Sequence, residues 1–128
     1  MAKKFFFKGK ELDELKRMPL DEFILLANSH ARRSLKRMGM QIKKFLEKMR
    51  KAKSKGKPMK THFRQMVVIP EMVGMHFKVH AGNSWADVVA TQEMVGRRLG
   101  EFAHTCKLVK HSGPGIGATR GSKAVELK

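Results

Sequence analysis

Apolar residues recur at helical spacing through the first half of the chain and switch to alternation in the second. Phe23, Leu26, Ala27, Ala31, Leu35 and Met38 fall near one face of a 3.6-residue period. Pro19 opens that stretch, and Asp21 and Glu22 follow it, where a helix N-terminus favours negative charge. Asn28 and Ser29 are placed to break it into two helices, and Gly39 is the expected C-terminal stop. A further helix carries Ile42, Phe45, Leu46 and Met49 at i, i+3, i+4 and i+7, and Gly56 and Pro58 end any regular structure after it.

From residue 64 the period shortens. Met66 to Ile69 is a β-branched run stopped by Pro70, and Met75, Phe77 and Val79 alternate with His76, Lys78 and His80. Ala81, Gly82 and Asn83 form a turn, so Trp85 to Ala90 is the return strand of a hairpin. Thr91 is a candidate cap for a short helix that runs to about Phe102, with Gln92 and Glu93 in its first turn and Met94, Val95, Leu99 and Phe102 inward. The class expected is therefore α/β in the α+β sense: N-terminal helices, a small antiparallel sheet with a short packed helix, and an extended basic C-terminal tail.

Charge changes the picture. The 128 residues carry 28 Lys and Arg against 11 Asp and Glu, a formal net charge of +17. Such a balance repels itself and calls for a polyanionic partner, and nucleic acid supplies affinity through counterion release. Most of the excess lies in residues 1–60, so this half resembles helices that complete their folding against a partner. Residues 43–60 alone hold nine basic residues and one acid, Glu47. An acidic membrane is the competing polyanion, but no apolar span of about 20 residues is present. Cys106 stands alone, so an internal disulfide is excluded and an intracellular setting is expected. The apolar run Phe5-Phe6-Phe7 is too short for a secretion signal, and a packed N-terminal anchor is expected of it ahead of the alternative, stacking on bases.

Chemistry-bearing motifs are sparse. The stretch GPGIGATRG lacks the Gly-Lys-Ser/Thr ending of a phosphate loop and sits in no strand–loop–helix unit. Its small residues fit a close backbone approach to RNA better. His104, Cys106 and His111 hold a single thiol and no paired ligands, so no metal site is expected. No acid/base or nucleophile grouping has a recognisable signature, which argues against an enzyme, and no cofactor is called for. The Gly-rich tail from Lys107 onward has too little apolar content to order itself alone in water.

The segments RQMVVIPEMVGMHFKVHAG, TQEMVGRRLGEFAHT and KHSGPGIGATRGSK closely resemble the family of small-subunit ribosomal protein nineteen, the universal uS-nineteen family. The paired PEMVG at Pro70–Gly74 and EMVG at Glu93–Gly96, followed by LGEFA at Leu99–Ala103, are specific together. The tail GPGIGATR at Gly113–Arg120 and the segment RRSLKRM at Arg32–Met38 resemble its archaeal and eukaryotic branch. The likeness spans about residues 60–123, and more loosely 11–40. It implies a structural constituent of the small ribosomal subunit that is cytoplasmic, on the ribosome, and supports translation. It implies binding to the 3′ (head) domain of small-subunit rRNA beside ribosomal protein thirteen, with the tail directed toward the A-site tRNA and decoding region.

Three segments follow: a basic helical N-terminal extension over 1–60, an α/β rRNA-binding core over 61–106, and an extended Gly-rich basic tail over 107–128. The rRNA contacts expected on the helices are Arg32, Arg33, Lys36 and Arg37, with Lys57 and Lys60 after them. In the core they are Arg64, Lys78, His80, Arg97 and Arg98, and beyond it Lys107, Lys110 and His111. On the resemblance, Gly115, Gly117, Arg120 and Lys123 lie on the part of the tail that reaches the decoding region. Two rivals remain: a free-standing nucleic-acid chaperone, which would bind any duplex alike, and an RNA-processing or nucleotide-using enzyme, for which the chain offers no acid/base pair.

Overall fold

The computed structural model describes residues 4–107. A two-residue hairpin, β1 (Phe6–Phe7) with β2 (Lys10–Glu11), leads into α1 (Leu12–Arg17) and α2 (Leu20–Leu26). Helices α3 (Ser29–Arg37) and α4 (Gly39–Ser54) follow, then β3 (Met59–Thr61), β4 (His76–His80) and β5 (Trp85–Val89).

The helical half divides where its sequence breaks. Pro19 precedes α2 with φ −64°, and Asp21 and Glu22 occupy the first turn. Extended backbone at Ala27 and Asn28 separates α2 from α3. The expectation for Gly39 does not hold: it is the first residue of α4, and the joint is Met38 at φ −101°, ψ 20°. A glycine stops a helix by entering the left-handed region, and Gly39 does not enter it. Gly56 does, at φ +62°: its N–H reaches the Lys53 carbonyl while the Lys57 N–H reaches that of Ala52, the paired bonds of a Schellman stop. Pro58 then carries the chain away.

In the sheet the order is β3-β4-β5. The expected β4–β5 hairpin pairs antiparallel, with Phe77 opposite Val88 and His80 opposite Trp85. Its turn closes through the Ala81 N–H to the Ser84 carbonyl, 2.8 Å. The edge strand β3, inside the stretch expected to lack regular structure, pairs parallel to β4 with Met59 opposite Phe77. Met59 and Thr61 point inward and Lys60 outward.

Residues 91–102 do not form the expected helix. Two 3₁₀ turns, Gln92–Met94 and Leu99–Phe102, flank an extended stretch with Gly96 at φ +82°. Between local i→i−3 bonds, the backbone there also bonds across to residues 64–68: Gly96 N–H to Val68 O, Val68 N–H to Arg97 O, Leu99 N–H to Met66 O, Gly100 N–H to Arg64 O. An N–H committed to another segment is lost to an α-helical i→i−4 bond. Met66 to Ile69 thereby makes its pairing with this stretch through a single bridge, Val67 with Arg98, and all four residues are buried.

One apolar cluster joins both halves. Leu15, Phe23, Ala31, Leu35, Ile42 and Met49 from the helices meet Val68, Phe77, Val79 and Leu99. Phe45 stacks on Phe77 with centroids 6.3 Å apart and meets Phe63 edge-on at 5.9 Å. The N-terminal anchor is in place: Phe7 packs against Phe23 at 6.0 Å, whereas Phe6 is exposed. Among the described residues no helix is long and apolar enough to cross a membrane.

Candidate nucleic-acid interface

The helical period sorts the cations into outward and inward groups. On α3, Ala31 and Leu35 turn into the core, which leaves Arg33, Lys36 and Arg37 exposed. On α4 the buried stripe likewise turns Lys43, Lys44, Lys48 and Lys51 outward. Lys57, Lys60, Arg97 and Lys107 are exposed as well, and Arg97 lies 3.8 Å from Glu101 in a solvent-facing ion pair. Exposed pairs of this kind contribute little and leave the cation available to a stronger anion.

Other expected contacts are committed to the protein. The Arg64 guanidinium donates to the carbonyls of His80 (2.6 Å), Gly100 (3.0 Å) and Ala103 (2.6 Å), tying the hairpin to the last 3₁₀ turn. Arg32 donates to the carbonyls of Leu25 (2.7 Å) and Ala27 (3.2 Å), which satisfies acceptors at the C-terminal end of α2. Arg98 donates to His30 Nδ1 (2.7 Å) and Ser34 Oγ (2.8 Å), fastening the 96–100 stretch to α3. Lys78 faces Asp87 across the hairpin at 3.6 Å. Arg32, Arg64 and Arg98 hold the frame on which the exposed cations are displayed, whereas the Lys78–Asp87 pair opens to solvent like that of Arg97 and leaves Lys78 available to a stronger anion. Lys110, His111, Gly115, Gly117, Arg120 and Lys123 lie outside the described residues.

Sequence reasoning missed a ring cluster at the end of the sheet. His62 follows β3, His80 ends β4 and Trp85 begins β5. Their centroids are 4.5 Å (His62–His80), 4.9 Å (His62–Trp85) and 5.1 Å (His80–Trp85) apart. Lys60 Nζ stands 5.7 Å from the Trp85 ring, within cation–π range. The available signal was His80 and Trp85 on either side of a turn, since hairpin register sets such residues opposite each other. Among the described residues no group of three His, Cys, Asp or Glu side chains is placed to hold a metal ion.

A small α+β frame that turns its cations outward along two helices is a binding protein for polyanions, built to display charge. The family described as Ribosomal protein S19 matches residues 33–111. Over 130 aligned residues the chain is 43% identical to small ribosomal subunit protein uS19 of the archaeon Saccharolobus solfataricus, spanning 98% of this chain and 93% of that protein. The chain belongs to the ribosomal protein S19 family, with the archaeal-type likeness that its tail and its RRSLKRM segment suggested. With the family comes its role, a structural one in the small ribosomal subunit and not an enzymatic one.

Proposed function

We propose that the chain binds the 3′ head domain of small-subunit rRNA, neutralising phosphates with the exposed cations of α3 and α4 while the inward arginines hold the frame. The observation that carries this reading is the sorting on α3. Arg33, Lys36 and Arg37 face solvent, whereas their neighbour Arg32 is committed to backbone carbonyls. Lys57, Lys60, Arg97 and Lys107 extend the exposed set. Lys78 midway along β4, Arg64 and His80 at the end of the sheet and Arg98 in the 96–100 stretch border the same surface and contact rRNA there, Arg64 and Arg98 while also holding the frame. In this reading residues 1–60 supply the basic helical face, 61–106 the core, and 107–128 a tail. The protein sits in the head beside ribosomal protein thirteen, its tail, with Gly115, Gly117, Arg120 and Lys123, runs toward the A-site tRNA and decoding region, and Lys110 and His111 contact rRNA at the base of that tail. The support for the tail and for that neighbour is the family resemblance of the sequence.

The test is sedimentation of cell extract on gradients at moderate and then high salt, followed by nuclease footprinting of the small-subunit rRNA with and without the protein. Salt-resistant presence in the small-subunit peak, with protection confined to the 3′ domain, is the expected result. A protein that stays at the top of the gradient, or that protects another domain, overturns it.

A further inference from the structure

His62, His80 and Trp85 are large rings kept at the surface, outside the apolar core, with Trp85 37% exposed. Immediately beside them a groove of about 400 Å³ runs between α4 and β3, and its walls carry Lys44, Lys48, Lys60 and His62 with no carboxylate. Lys60 faces both features, lining the groove while its ammonium stands over the Trp85 ring. Cations beside an open aromatic surface are the chemistry that receives a single nucleotide: the lysines take the phosphate, and the rings take the π-face of the base. Paired bases in a duplex keep their faces stacked on one another, so this corner suits an unpaired residue.

We propose that the His62–His80–Trp85 rings stack on an unpaired RNA base whose phosphate lies against Lys44, Lys48 and Lys60. The inference rests on the RNA-binding reading above and adds to it a second kind of contact, one that distinguishes single-stranded from duplex RNA.

Trp85 is the only tryptophan of the chain, so its fluorescence reports this site alone. The full-length protein is titrated with single-stranded oligoadenylate, with an abasic oligonucleotide of the same length, and with duplex RNA. Fluorescence and the anisotropy of labelled RNA are followed together. Oligoadenylate should quench Trp85 saturably, and the abasic strand should bind without quenching it. Trp85→Ala and His62→Ala should weaken oligoadenylate binding by about 5- to 150-fold, as expected for loss of one stacked base, and leave duplex binding unchanged. Trp85→Phe, which preserves a ring in the strand, should retain most of the affinity.

Oligoadenylate that binds the wild-type protein without changing Trp85 emission overturns the stacking site and leaves the RNA-binding reading intact. That result needs no variant to fold. If neither single-stranded nor duplex RNA binds at physiological salt, the RNA-binding reading itself fails and the stacking site falls with it.

Discussion

The Arg64 guanidinium donates to the Ala103 carbonyl at 2.6 Å, across 39 residues of sequence. The same side chain holds the His80 carbonyl at 2.6 Å and that of Gly100 at 3.0 Å, so one cation closes the joint between hairpin and last turn. Hydrogen bonds to a charged donor contribute about 1.5–3 kcal/mol each, and carbonyls stripped of their donor are left partly desolvated. Arg64→Ala should therefore lower unfolding stability by roughly 2–4 kcal/mol, since the bonds share one side chain and do not add independently. Arg64→Lys should recover little, because an ammonium cannot reproduce the planar fork. Urea denaturation followed by far-UV circular dichroism measures both. A loss for Arg64→Ala within the scatter of surface substitutions would show that the joint is held by packing alone.

Gly96 couples the N-terminal hairpin to the 96–100 stretch. It lies at φ +82°, and a Cβ there would sit 3.0 Å from Cζ of Phe7. Gly96→Ala therefore carries left-handed backbone strain of about 1–2 kcal/mol, together with a displaced Phe7 ring. In a Phe7→Leu background the ring is gone and only the backbone part should remain. The double-mutant cycle of these substitutions should accordingly show a coupling energy on the order of 0.5 kcal/mol or more. Additive losses would mean that Phe7 yields freely and that its packing on Phe23 is loose.

The exposed cations make a prediction about salt. If roughly eight phosphates are engaged, the logarithm of RNA affinity should fall against that of salt concentration with a slope of about −6 to −7. Removal of one contacting cation, for example Lys36→Ala, should make that slope shallower by about 1. Filter binding across a salt series checks both. A slope near −2 for the unaltered protein would mean that few of the exposed lysines and arginines touch phosphate.

How much of this was legible in the sequence depended on how local the determining interaction is. The α4 stripe Ile42, Phe45, Leu46, Met49 and the His76–Val89 hairpin show in the pattern because their periods repeat within the element. Strand β3 does not, because Met59, Lys60 and Thr61 are too few for a period and pair in parallel with a strand many residues on. Residues 91–102 mimic a capped amphipathic helix, yet the N–H groups of Gly96 and Leu99 answer to Val68 and Met66, a long-range choice that local spacing cannot express. For the site, the pattern identified which residues carry charge. It could not say which arginines turn inward, because Arg64 and Arg98 are satisfied only by segments that the fold brings to them. The ring cluster is non-local in the same way, with His62 reaching Trp85 only once β3 has joined the sheet.

Arg32 and Arg33 separate the two uses of charge most sharply, being adjacent in sequence and opposite in commitment. Arg32 caps the end of α2 through the Leu25 and Ala27 carbonyls at 2.7 and 3.2 Å, while Arg33 is exposed on α3. Arg32→Ala leaves helix-terminal acceptors without their donor and should destabilise the protein by about 1–2 kcal/mol. Arg33→Ala should alter stability by no more than about 0.5 kcal/mol, the range of ordinary surface substitutions. RNA affinity should respond in the opposite sense. Arg33→Ala should weaken binding at low salt and make the salt slope shallower, and Arg32→Ala should leave the slope of the folded protein unchanged. Thermal denaturation and salt-dependent RNA binding of the two variants, measured side by side, give a two-by-two pattern. Equal effects of both variants on both measurements would show that the helix does not sort its cations between frame and surface, and the proposed α3 interface would be lost with it.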